Sequence, residues 1–145
     1  MNILNRLPDD IQEIIYKINH KDFMKTLKKN LWNNLKEDQQ NYYITTKYET
    51  RYASYSIYTE QDNLQNPDEV AIKGPCIIWE EQDYYWHSAS YNSDVIENVT
   101  YGDLLLQTEK VIEITGDKHH IFLEGFDIYE FTTSGVAIII LSLGS

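Results

Sequence analysis

Cysteine is almost missing from this sequence. Cys76 stands alone among 145 residues, so no disulfide within the chain staples the fold. Proline (three) and glycine (six) are scarce too, which excludes collagen-like and low-complexity chains. No apolar run approaches the ~18 residues of a membrane-crossing helix; the longest, 135–141, has the length of a strand. Residues 1–10 lack the apolar stretch of a signal peptide. Together these absences predict an intracellular, cytoplasmic protein. Positive charge is short as well: 12 Lys/Arg face 23 Asp/Glu, for a net charge of −11. Missing also are a Gly-rich phosphate loop, a Gly-x-Ser-x-Gly elbow, a His-Glu-x-x-His pair and paired Cys-x-x-Cys motifs.

Hydrophobic residues make up 42% and charged residues 24%, ordinary values for a globular chain. A chain of this length buries roughly 70% of its unfolded surface, enough for a core without metal or disulfide. Ile (18), Tyr (12), Asn (11) and Lys (10) dominate over Ala (four) and Arg (two). An AT-rich genome is the simplest cause of that bias, so the tyrosines do not by themselves define an aromatic binding surface.

The charge is split. Residues 1–36 carry seven Lys/Arg against four Asp/Glu, a net +3; residues 37–145 carry five against 19, a net −14. An acidic body repels phosphate backbones and anionic membranes, so neither nucleic acid nor membrane is an expected partner. The lysines at 17, 21, 25, 28, 29 and 36 read as a solvated helix face, or as one that meets an acidic partner.

Residues 7–18 read as a short helix. Pro8 suits the first helical position, Asp9 and Asp10 favour the positive end of the dipole, and Ile11, Ile14, Ile15 and Ile18 share one face. Asn19-His20 reads as a break, and a second helix follows over 21–36 with Phe23, Met24, Leu27, Leu31 and Leu35 as its stripe. Two such helices cannot hide both stripes fully against each other, so they must cover the following sheet or a partner. From Tyr42 the period becomes two (Tyr42, Ile44, Thr46, Tyr48, Thr50, Tyr52), which predicts a strand. Further strands are expected at 70–72, 76–79, 84–88, 119–123, 127–132 and 136–141, the last buried on both faces because its apolar residues do not alternate. Thr100 and Asp103 form a capping box for a helix that Gly116 closes. The plan is α+β: two N-terminal helices, then a mainly antiparallel sheet with one further helix packed on it. The expected division is a helical arm, 1–36, and a compact α+β domain, 37–145.

The segment Leu7-Pro8-Asp9-Asp10-Ile11, continued by Ile14-Ile15-Tyr16, Ile18 and His20, resembles the opening of small uncharacterised proteins of nucleocytoplasmic large DNA (giant) viruses, whose N-termini look like the start of an F-box. The segment from Gly116 to Phe126 and the ending Leu143-Gly144-Ser145 resemble such viral proteins as well. An F-box is a helical adaptor for an Skp1-type partner; Leu31-Trp32 resembles the Leu-Trp pair near its end, at a shorter spacing from Leu7. The resemblance implies a viral protein in the host-cell cytoplasm and brings no catalytic residues.

Asp117, His119, His120 and Glu124 are the strongest candidates for chemistry. On a strand, His120 and Glu124 share a face, and imidazole with carboxylate suits zinc or another transition metal. Two ligands do not make a site, so no metal and no cofactor is expected. Cys76 reads as a buried structural thiol; a nucleophile would need His87 to reach it across a hairpin turning at 80–83. The favoured function is therefore a non-enzymatic interaction or assembly protein, a homodimer or a partner of another protein, acting through Leu7, Pro8, Ile11, Ile14, Ile15, Ile18, Phe23, Leu27 and Leu31. The alternatives are a small metal-dependent enzyme using His119, His120 and Glu124, or an F-box-like adaptor.

Overall fold

A computed structural model describes the backbone of residues 9–85 and 87–145, and side chains from residue 20 onward except at positions 22, 84 and 86. The chain divides into two compact units, Met1–Leu35 and Lys36–Ser145. The class is α+β, with three helices and a six-stranded mixed sheet among the described residues.

The first unit holds α1, Asp9–Asn34. It runs unbroken through Asn19 and His20, where the sequence suggested a break. Neither residue is a strong breaker: each costs only about 0.7 kcal/mol relative to Ala inside a helix. A break would instead free several backbone groups that a continuous helix pairs. Continuity changes the geometry of the apolar pattern. At about 100° per residue, positions 11, 14, 15 and 18 lie on one side of α1 and positions 23, 27 and 31 on the opposite side. The two stripes are set back to back on one rod.

The second unit begins with α2, Glu37–Tyr48, where a strand was expected from Tyr42. Its start is local chemistry. The Gln39 side chain accepts a hydrogen bond from the Lys36 amide (3.0 Å), and Glu37 and Asp38 sit at the positive end of the dipole. Gln40 and Ile44, four apart, are buried together. Glu49 ends the helix in the left-handed region, with φ 45°.

The strands are β1 (Ser54–Tyr55), β2 (Pro75–Tyr84), β3 (His87–Asn92), β4 (Ile96–Glu97), β5 (Phe122–Phe131) and β6 (Ala137–Gly144). Their order is β1-β5-β6-β2-β3, with β4 also on β2. The β1/β5 and β2/β6 pairs are parallel; the other three are antiparallel. Residues 70–72, expected as a strand, form a loop pinned by the Ala71 amide to the Val99 carbonyl. The two strands expected at 119–123 and 127–132 are one strand, β5, that absorbs the irregularity in bulges at 123/125 and 128/130.

Helix α3, Tyr101–Thr115, crosses one face of the sheet with the caps its sequence implies. Thr100 Oγ1 accepts from the Asp103 amide, Asp103 accepts from the Thr100 amide, and Gly116 takes φ 69°. Leu104, Leu105, Val111 and Ile112 bury against the face that carries Cys76, Ile78, Leu123, Ala137, Ile139 and Leu141. The close approach there favours Gly102, because a Cβ would meet the Tyr48 ring and hydroxyl and force that side chain to shift. Strand β6 is central, yet only one of its faces is fully buried: Ile138 and Ile140, pointing away from α3, are half-buried. The expectation of burial on both faces fails because α3 packs on one side of the sheet and leaves Ile138 and Ile140 on the other.

Candidate functional site

The expected interaction residues fall in three groups. Leu7 and Pro8 lie outside the described residues. Ile11, Ile14, Ile15 and Ile18 belong to α1 by backbone, and their side chains lie outside the described ones. Phe23, Leu27 and Leu31 are placed on α1 and exposed, Phe23 by 63% and Leu31 by 57%. Leu35, just past the helix, is exposed as well.

The candidates for chemistry are redistributed. His119 and His120 precede β5 and belong to the turn that leaves α3, so His120 does not share a strand face with Glu124. Asp117 organises that turn. One carboxylate oxygen accepts the His119 amide at 3.0 Å, and the other contacts His120 Nδ1 at 2.8 Å. Burial acts to raise the Asp117 pKa, but the hydrogen bonds from His120 and the His119 amide outweigh it and hold the carboxyl below its ordinary value. Asp117 and His120 line a cleft of about 210 Å³ with Glu80, Gln82 and Thr115, over an apolar floor that includes Val111, Ile112 and Leu141. Glu80 is pushed the other way, first by burial and then by the charge on Asp117. The cleft thus pairs a carboxyl that holds its proton more tightly with one that releases it more readily, an acid–base asymmetry. Glu124 lies apart, exposed, in a depression with Ser56, Tyr58 and Phe122. Among the described residues no three His, Cys, Asp or Glu side chains are grouped to hold a metal ion.

Cys76 is fully buried, and burial pushes its thiol upward, with Asp103 and Glu97 adding to the effect. His87 does not approach it. The hairpin turns beyond Tyr84 rather than at 80–83, and His87 pairs with Tyr84. That is eight residues from Cys76 along β2, or roughly 26 Å at 3.3 Å per residue.

Two polar clusters escaped the sequence reading. Asp68 accepts from Tyr43 (2.7 Å), Tyr48 (3.1 Å) and Lys47 (2.5 Å), tying α2 to the loop before β2. No sequence signal links residues 20–25 apart across a loop. Glu109, on α3, accepts from the amides of Arg51, Tyr52 and Ala53. Here a signal existed: Glu109 stands four residues after Leu105 and three before Ile112, inside the apolar stripe.

No family model, curated protein or solved structure matches this chain. No helix among the described residues is long and apolar enough to cross a membrane.

Proposed function

We propose that this chain is a non-enzymatic interaction protein that self-associates through α1. The observation carrying this reading is the stripe of Phe23, Leu27 and Leu31, exposed at four-residue spacing on a helix of 26 residues. Large apolar side chains in a continuous exposed row are costly in water and mark a surface meant for a partner. The back-to-back arrangement strengthens the argument, since no single flat surface covers both stripes. A second copy is the default partner for such a surface, under two-fold symmetry. Nucleic acid is not part of this reading, because residues 36–145 carry six Lys/Arg against 19 Asp/Glu. The giant-virus and F-box-like likeness of the opening segment, and with it a host-cytoplasmic setting, belongs to the same proposal and rests on the sequence alone.

Light scattering after size-exclusion chromatography tests it. The full chain should run as a dimer, and Phe23→Ser with Leu31→Ser should run as a monomer with an unchanged far-ultraviolet spectrum. A wild-type chain that stays monomeric at every attainable concentration would overturn the reading.

One observation favours a second reading, a small enzyme: the cleft in which Glu80 and Asp117 are shifted in opposite directions beside His120. The earlier metal-dependent version, with His119, His120 and Glu124, loses support because Glu124 is set apart from His120. Elemental analysis of untagged protein, with melting curves before and after chelation, tests that metal-dependent version. The Glu80/Asp117 reading is tested by hydrolysis of model ester and glycoside substrates: activity that Glu80→Gln and Asp117→Asn each abolish would favour the enzyme, and no turnover by wild type would count against it.

A further inference from the structure

Strands β2, β3, β5 and β6 contain no lysine or arginine, but carry Glu80, Glu81, Asp83, Glu124, Asp127 and Glu130. The register divides this charge between two faces. Cys76, Ile78, Ala137 and Ile139 point toward α3, so Ile77, Trp79, Ile138 and Ile140 point away from it. On that open face the apolar centre is only half-buried, and the Tyr129 ring, 60% exposed, meets Trp79 at 5.6 Å between centroids. Exposed carboxylates border the centre on both sides. Glu81 and Asp83 continue β2, while Asp127 and Glu130 stand opposite Ile140 and Ile138. Two such faces would set like charges against each other, so sheet-on-sheet pairing between copies is disfavoured. The fitting complement is a helix with an apolar stripe and flanking cations.

The chain itself carries such a helix. On α1, Lys21 and Lys28 lie about 100–120° around the helix from the centre of the Phe23/Leu27/Leu31 stripe, and both lysines are exposed. Their spacing of seven residues sets them about 10 Å apart along one flank. We propose that the stripe of α1 from one copy docks on the open sheet face of a second copy, with its lysines against the bordering carboxylates. This rests on the self-association reading and names the surface that receives the helix. Lysine stems lie along apolar surface while their heads reach outward, so the same residues extend the apolar contact and neutralise its rim.

Charge reversal on each side tests the docking in the full chain. The sheet variant is Asp127→Lys with Glu130→Lys; the helix variant is Lys21→Glu with Lys28→Glu. All four positions are exposed. Each variant alone should dissociate about tenfold more readily than wild type at low salt. An equimolar mixture of the two should recover wild-type association, because each helix then finds a sheet of opposite charge. The neutral pair Asp127→Asn with Glu130→Gln should weaken association less, in the same direction. A sheet variant that associates like wild type, while Phe23→Ser with Leu31→Ser is monomeric, overturns the docking surface and leaves self-association through α1 standing. Single variants that both dissociate, with a mixture that stays dissociated, overturn the docking as well. A monomeric wild type overturns both.

Discussion

Replacing Glu109 should loosen the second unit more than any surface change of similar size. The side chain is 8% exposed, and its two oxygens receive three consecutive amides from a segment more than 50 residues away. One oxygen takes Arg51 (2.9 Å) and Tyr52 (3.0 Å); the other takes Tyr52 (3.0 Å) and Ala53 (2.7 Å). The three donors are not equivalent. Arg51 is exposed and Tyr52 half-buried, so water can replace the carboxylate at both. Ala53 is 7% exposed, and its amide has no such substitute. The Glu109→Ala variant therefore strands one buried donor at about 1–3 kcal/mol and loses charge-assisted bonds at two half-wet ones. The charge itself is expensive to bury, which offsets part of the loss. The expected net cost is about 2–4 kcal/mol, a large share of a marginal stability.

The Glu109→Gln variant sharpens the test. It keeps the shape and one acceptor, but sets an NH2 group against an amide donor. Its cost should be about half that of Glu109→Ala. Urea titrations compared at equal slope give the magnitude, and hydrogen exchange at Ala53 locates it. If Glu109→Ala shifts stability by less than about 0.5 kcal/mol, the scale of an ordinary surface substitution, the clasp is not what holds this segment. Unchanged exchange at Ala53 would refute it as well.

Other perturbations follow from the same geometry. The Gly102→Ala variant should cost about 1–3 kcal/mol in a urea titration, because the new methyl meets Tyr48; combination with Tyr48→Ala should cost less than the sum of the two singles. Thr100→Ala removes the cap of α3 and should cost about 1 kcal/mol by the same measurement. At Asp68, burial acts to raise the pKa, but Lys47, Tyr43 and Tyr48 outweigh it and the net shift is downward. A carboxyl lower in the folded state stabilises at neutral pH and loses that contribution as pH falls through its folded value. Wild type should therefore lose more stability than Asp68→Asn between about pH 7 and pH 3, by less than about 1 kcal/mol since both ion-pair partners are exposed. His120→Ala should let the Asp117 pKa rise toward the ordinary range, as read by carboxyl-carbon NMR; an unmoved value would show that His120 does not hold it down.

What the sequence made legible is what local chemistry decides. Helix α3 could be read from Thr100, Asp103 and Gly116, because caps act within four residues and the stripe from Leu104 to Ile112 has an unambiguous period. Helix α2 could not. Tyr42, Ile44, Thr46 and Tyr48 alternate as a strand does, yet Ile44 is also four residues from Gln40 and from Tyr48. The choice is settled by Asp68 and Gly102, which meet α2 only after the chain has folded back. The hairpin lies beyond its expected place for a related reason. Glu80, Glu81, Gln82 and Asp83 have the composition of a loop, but on β2 they alternate between the α3 side and the open face. The real turn begins at Tyr85, which carries no Gly, Asn or Pro signature.

The acid-only sheet and the lysine-bearing helix give the charge asymmetry a structural meaning that the totals alone lacked. Edge strands commonly carry lysine as protection against pairing with another chain. Here β3 and the two-residue β1, the strands at the ends of the sheet, have no lysine or arginine. Negative charge on the neighbouring strands does the same work against other acidic sheets, and it does so selectively. In the docking we propose, it repels a second copy's sheet while leaving the open face attractive to a basic helix. On that proposal the −11 net charge acts as a filter on partners. Salt should act on it in a diagnostic way: screening weakens helix-to-sheet attraction and also relaxes sheet-to-sheet repulsion. Association that falls as salt is added points to the first interaction, and association that rises points to the second.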